Sequence, residues 1–331
     1  MSVLVTGGAG YIGSHMDLAL LDNGYDVIVV DDLSAGFRLA VPDHVKFIRG
    51  DIGDIHLLRE IITNHRIDTI IHFAGKTVVP ESIQKPLQYY GNNTVKTHAL
   101  ISCAVSQGVN RFIFSSTAAV YGDKSNNPVR ESDPVNPITP YGRSKLMIEW
   151  MLEDLCKALD IRCVILRYFN VAGADPQGRT GQSTHGAKHL IKIAVQAALG
   201  IHPKMSVFGA DYSTPDGTCI RDFVQVTDLC QAHIDALNYL KEGGCSITCN
   251  CGYGKGYSVF QIIEAVKRVS GVDFPVEIKE RRPGDRDKVV SNSAKIKKYF
   301  GWKPKYDDLY SIVGQAYEWE KYLITNPKGY M

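Results

Sequence analysis

The chain has 331 residues, 44% of them hydrophobic, enough for one large domain or two ordinary ones around a substantial core. Its 37 basic and 35 acidic residues leave a formal charge of +2, which argues against nucleic acid or an anionic membrane as partner. No run reaches the ~18–20 apolar residues of a membrane span, and no secretory signal pattern opens the sequence, so a cytoplasmic protein is expected.

Short apolar runs alternate with helical patterns from the start. Strands are predicted over 3–6, 27–31, 45–49, 69–73, 111–116 and 162–168, with helices over 11–23, 56–65, 86–107 and 141–158 between them. This rhythm predicts an α/β fold, a Rossmann-type parallel sheet with helices on both faces. A Gly-, Pro- and Asp-rich stretch over 172–186 then reads as a long loop. Beyond it lie helices near 189–199, 226–242, 259–270 and 309–323 and short strands near 205–208 and 275–279, a smaller C-terminal α/β domain. The expected division is 1–174 for a dinucleotide and 175–331 for a substrate, with the segment near 221–240 a candidate to return to the main sheet.

The first strand runs into Gly7-Gly8-Ala9-Gly10-Tyr11-Ile12-Gly13 and then a helix. Gly7, Gly10 and Gly13 let backbone N–H groups approach a pyrophosphate at the positive end of that helix. Asp31 ends the second strand, where a carboxylate accepts from ribose hydroxyls and repels a 2′-phosphate, so NAD is favoured over NADP. Asp51-Ile52 ends the third strand, with the Asp51 carboxylate placed for the adenine amino group. Phe73-Ala74-Gly75 ends the fourth, where small groups let the cofactor pass.

Tyr141 and Lys145 stand four residues apart at the start of a helix, hence on one face. A phenol, whose reference pKa is about 10, is a base at neutral pH only beside positive charge, and Lys145 and an oxidised nicotinamide are the two sources. A third hydroxyl is expected at the end of the fifth strand, and Thr117 is placed against the substrate, with Ser115 and Ser116 supporting cofactor and backbone. The eight cysteines are scattered as free thiols of a reducing compartment would be. Cys245, Cys249 and Cys251 lack the paired spacing of zinc sites and read as buried filler, so no metal is expected.

With these motifs in view the chain resembles the extended short-chain dehydrogenase/reductase superfamily and, within it, the UDP-glucose 4-epimerase family. The likeness spans segments 7–15, 70–75, 89–93, 112–122, 141–147, 167–173, 216–223, 281–285 and 301–304. It implies that Tyr141 takes the proton of the sugar 4-hydroxyl while the C4 hydride passes to tightly bound NAD, and that a 4-keto sugar turns over and is reduced on its other face. It implies that Thr117 holds the hydroxyl and that Lys145 lowers the phenol pKa and bonds the nicotinamide ribose. Asn92, Ser115 and Tyr168 join the cofactor contacts by the same likeness. For the UDP-sugar it implies Arg221 and Arg282 on the diphosphate, Asp285 on the uridine ribose, and Asn170, His189, Leu190 and Phe208 as further contacts. A homodimer through the helices at 86–107 and 141–158 is also implied.

The chain departs from the family at some positions. Thr117 stands where many relatives have Ser, and Lys76-Thr77 do not reproduce the residue order found in some relatives near the nicotinamide. Val289 occupies a gate position that is a bulky tyrosine in some relatives, so N-acetylated UDP-sugars are expected alongside UDP-glucose and UDP-galactose. A UDP-pentose or UDP-uronate 4-epimerase is the alternative. A nucleotide-sugar dehydratase is disfavoured because Ala118-Ala119 offer no carboxylate after Thr117, and a non-catalytic sensor because Tyr141, Lys145 and Thr117 are all present.

Overall fold

A computed structural model of the chain describes residues 2–123, 127–184, 186–282 and 284–327. Pro283 of the 281–285 motif and His185 of the 172–186 loop lie outside the described residues. The first half runs β1 (Ser2–Thr6), α1 (Tyr11–Asp22), β2 (Asp26–Asp31), β3 (Lys46–Arg49), α2 (Ile55–His65), β4 (Ile67–His72), α3 (Val79–Gln84), α4 (Pro86–Tyr89), α5 (Lys96–Ser106), β5 (Arg111–Thr117), α6 (Pro140–Ala158) and β6 (Arg162–Tyr168). The second half adds β7 (Asn170–Ala172), α7 (Leu190–Ala198), β8 (Met205–Phe208), β9 (Ile220–Gln225), α8 (Val226–Lys241), β10 (Ile247–Cys251), β11 (Gly256–Ser258), α9 (Val259–Ser270), β12 (Val276–Lys279), β13 (Lys288–Val289), α10 (Ala294–Phe300) and α11 (Leu309–Thr325).

Seven parallel strands form the main sheet in the order β10-β6-β5-β4-β1-β2-β3. Their apolar runs are continuous because both faces are covered. Val3, Val5, Val27, Val29, Ile113 and Val164 point into one core with α1 and α8, and Leu4, Ile28, Val30, Phe112 and Ile165 into the other with α2, α5 and α6. The order in which strands are added reverses between β1 and β4, which opens a crevice at their carboxyl ends, where ligands of such sheets bind.

Residue 174 does not bound this sheet. β10, Ile-Thr-Cys-Asn-Cys, pairs with β6 although its sequence carries no strand-like apolar run. The return near 221–240 is made by α8, which packs on α1, β5 and β6, whereas β9 lies in a second sheet with β7, β11 and β13. A two-stranded sheet, β8 with β12, completes the described strands.

The helix expected over 86–107 is interrupted. Residues Tyr90–Val95 form a π-helical turn between α4 and α5. Gly91, Asn92, Asn93 and Thr94 are weak helix formers, and Asn93 spends its side chain on other parts of the chain. Its Oδ1 accepts from Lys76 N at 2.8 Å, and its Nδ2 donates to Lys76 O and to Ser144 Oγ, both at 3.0 Å.

Candidate active site

The crevice begins at the glycine turn. Gly7 has φ +74°, and a Cβ on it would stand 2.6 Å from Ala74 N, while one on Gly13 would stand 2.1 Å from Gly7 O. Only glycine fits at either position. The N-cap of α1 is Gly10, with no side-chain cap and no acidic residue in the first turn, so the N–H groups around Tyr11 and Ile12 and the positive dipole end are left for an anion. That is the cradle a dinucleotide pyrophosphate needs.

At the end of β2, Asp31 is buried and accepts from Ala9 N at 3.0 Å and Leu33 N at 2.8 Å. Burial raises its pKa despite those bonds. Each oxygen keeps a lone pair for a ribose hydroxyl. Asp51 accepts from Gly53 N at 2.8 Å and forms a close ion pair with Lys96, a partner that sequence reasoning missed. Burial alone would raise the Asp51 carboxyl, but Lys96 and Gly53 outweigh it and hold it low. Ile52 is buried beside it. Phe73 N and Ala74 N both donate to Thr6 O, at 3.0 and 3.1 Å, so Phe73-Ala74-Gly75 is pinned against the glycine turn.

Thr139 caps α6, its Oγ1 accepting from Gly142 N at 3.2 Å with Pro140 in the first turn, and this starts the helix one residue before Tyr141. Thr117, at the end of β5, accepts from Ala119 N at 3.1 Å. Burial pushes the neighbouring Tyr141 phenol above its ordinary value, and the Thr117 hydroxyl opposes the rise. Lys145 Nζ donates to Ser115 O at 3.0 Å and lies 4.9 Å from the Phe114 ring centre. Lys145 is itself lowered to about 8 by burial, with Glu149 raising it in part. Among the expected cofactor contacts, the hydroxyls of Ser115 and Tyr168 bond each other, and Asn92 Nδ2 donates to Asn93 Oδ1 at 3.3 Å.

Beneath these groups lies a buried polar chain that no sequence motif announced. Arg167 Nε donates to both Glu149 oxygens at 3.1 Å, Ser116 Oγ bonds the same carboxylate, and Arg167 Nη1 donates to Tyr121 Oη at 3.0 Å. Tyr121 Oη in turn donates to Asn250 Oδ1 at 2.6 Å. The chain ties β5, α6, β6 and β10 together directly behind Thr117 and Lys145.

On the substrate side, Arg221 Nη2 lies 3.5 Å from Asp285 Oδ1, and Val289 is the register partner of Arg221 between β13 and β9. The Arg282 guanidinium stands 3.7 Å from the Phe208 ring centre. Arg286 Nη1, donating to Gly122 O at 3.0 Å, links this group to the turn that follows Thr117. Asn170, His189 and Leu190 instead line a cleft with Tyr11, Gly173 and Phe223, adjoining the glycine turn. Tyr11 Oη donates to Gly173 O at 2.7 Å across it, and burial lowers the His189 imidazole pKa.

Residues 3–252 match the sequence pattern of the NAD dependent epimerase/dehydratase family. The chain is 52% identical over 321 residues to UDP-glucose 4-epimerase of Azospirillum brasilense, covering 97% of this chain and 92% of that one. It superposes with a TM-score of 0.93 on Bifidobacterium longum UDP-glucose 4-epimerase in complex with NAD+ and UDP, at 36% identity and with 99% and 100% of the two chains covered. The UDP-Glc/GlcNAc 4-epimerase of Campylobacter jejuni gives a TM-score of 0.85 at 47% identity, with 97% and 99% covered.

Proposed function

We infer that this chain, which belongs to the NAD dependent epimerase/dehydratase family, is a UDP-glucose 4-epimerase that interconverts UDP-glucose and UDP-galactose through a 4-keto sugar. The observation that carries this reading is the crevice where the glycine turn and Asp31 meet the carboxyl ends of β4 and β5, with Thr117 ending β5 beside the buried Tyr141 phenol and Lys145 Nζ held on Ser115 O. NAD, held by the glycine turn, Asp31 and Asp51, would supply a reversible hydride acceptor for C4 with no net redox change. The chain's own groups manage the proton and the geometry. Thr117 Oγ1 positions the 4-hydroxyl against Tyr141 Oη, which takes its proton and later gives it back. Because burial holds the phenol high, its deprotonation depends on positive charge from Lys145 and from the bound cofactor. Arg221 and Arg282 grip the diphosphate, where guanidinium forks match phosphate oxygens, and Asp285 takes the uridine ribose. Asn170, His189 and Leu190, in the cleft beside the glycine turn, are the further contacts of the UDP-sugar.

Val289, the register partner of Arg221, is a smaller side chain than the tyrosine some relatives carry there, which supports acceptance of N-acetylated UDP-hexoses as well. Residues 1–174 carry the cofactor side and 175–331 the UDP-sugar side, apart from α8 and β10. Leu87 (82% exposed), Val95 (64%), Met147 (37%) and Trp150 (51%) lie on the α4–α5 and α6 segments, an apolar surface that supports a homodimer through these helices. Eight free thiols support a cytoplasmic setting, and among the described residues no helix is long and apolar enough to cross a membrane.

The test is a coupled assay in which UDP-galactose is supplied and UDP-glucose dehydrogenase reports UDP-glucose as NADH. Wild-type protein is expected to turn over, and Tyr141→Phe to lose at least ~100-fold while still binding UDP. Near-wild-type turnover by the variant would refute the assignment.

A further inference from the structure

Two thiols with no part in the proposed reaction meet at the far end of the helix that carries Tyr141. Cys156 lies in the last turn of α6 and Cys163 at the second position of β6, joined by a short connection. Their sulfurs are 3.2 Å apart and both are free thiols. A disulfide brings sulfurs to about 2.05 Å, so closure by little more than ~1 Å would join them. The two are unequal in access: Cys163 is 2% exposed, and Cys156 is half-buried at the surface. The Ser246 hydroxyl completes the cluster, accepting from Cys163 N at 3.0 Å. Glu153, one turn earlier on α6, is the acidic group that opposes charge there.

We propose that Cys156 and Cys163 form a reversible redox dithiol, with Cys156 the attacking sulfur, Cys163 the resolving one and a hydroperoxide the oxidant. The Cys156 thiolate attacks the terminal peroxide oxygen and the O–O bond breaks, which leaves sulfenic acid on Cys156 and releases an alcohol, or water from hydrogen peroxide. The Cys163 sulfur then attacks the Cys156 sulfur. The S–O bond breaks, hydroxide departs as water with the Cys163 proton, and a disulfide remains. Two thiols are oxidised for one peroxide reduced. The contact with Cys163 outweighs burial and lowers the Cys156 thiol to about 7, which favours the first step at neutral pH. The same contact and then burial keep the proton on Cys163. The other partly accessible sulfur nearby, Cys245, is exposed in the loop before β10 but has no thiol contact of this kind.

The pair is some fifteen residues along α6 from Tyr141, about 22 Å at 1.5 Å per residue, so the bond forms without occupying the crevice. Full-length protein treated with stoichiometric hydrogen peroxide and analysed by intact mass should lose ~2 Da, regained with dithiothreitol, and peptide mapping should join Cys156 to Cys163. Cys156→Ser should abolish that loss. Cys163→Ser should stall at sulfenic acid on Cys156, a gain of ~16 Da, because no resolving sulfur remains. A disulfide mapped to Cys245, a cross-link between chains, or oxidation in which neither Cys156 nor Cys163 reacts would overturn the proposal. Should Cys163→Ser fail to fold, the Cys156→Ser and wild-type maps decide it alone.

Discussion

Glu149→Gln removes one charge from the buried chain behind the active site and should register in two independent measurements. Glu149 is fully buried and Arg167 is 5% exposed, and the guanidinium spends Nε and Nη2 on that carboxylate. Taking one partner from a buried pair leaves the other charge uncompensated, which costs about 3–5 kcal/mol. With an unfolding entropy of ~2.1 cal/mol/K per residue, a chain of 331 residues would lose ~4–7 °C of thermal midpoint. The second measurement is the pH dependence of kcat/KM in the coupled assay. Burial lowers Lys145 to about 8 and Glu149 opposes that fall. Without the carboxylate, Lys145 should shed its proton at lower pH, and the alkaline limb should move to lower pH in the variant. A midpoint within ~1 °C of wild type would refute the energetic reasoning. A falling midpoint with an unmoved alkaline limb would show that Glu149 braces the structure without tuning Lys145.

Asp17 has both carboxyl oxygens buried and without a hydrogen-bond partner, and burial, reinforced by Asp31, raises its pKa. A carboxyl raised in the folded state costs no stability below its unfolded value of about 4 and weighs against folding as pH climbs above it. Asp17→Asn should therefore stabilise the protein at pH 7, and the advantage should vanish as pH falls through about 4, read by chemical denaturation at a series of pH values. A constant difference across that range would contradict the burial argument. Val289→Tyr should cut kcat/KM for UDP-N-acetylgalactosamine at least ~10-fold while sparing UDP-galactose, and equal losses on both would remove the gate role.

Much of the main sheet was legible because strands covered on both faces must be apolar at every position. Val27–Val30 and Phe112–Phe114 can hardly be placed elsewhere, and the glycine turn announces itself by spacings that only a close backbone approach explains. β10 escaped notice because Thr248 and Asn250 interrupt its apolar run, and its place is set by pairing with β6 and by Tyr121 reaching Asn250. Glu149 and Arg167 are eighteen residues apart, and no local pattern shows that a helix and the strand after it will bring them together. The π-helical turn was hidden for a similar reason, since the Lys76 backbone that occupies Asn93 arrives from another segment. The upward pull on the Tyr141 phenol was not legible because the presence of a lysine is visible in a sequence while the depth of burial is not.

The seventh strand has a consequence for synthesis. When β6 has left the ribosome, its outer edge still lacks β10, and the face later covered by α8 is bare. The missing strand lies about eighty residues downstream, so at ~5–20 residues per second the nascent sheet waits roughly 4–16 s with an open row of backbone donors and acceptors. A fragment stopped at residue 174 would keep that edge permanently. The nucleotide layer and the part that reads the sugar are thereby obliged to mature as one cooperative unit.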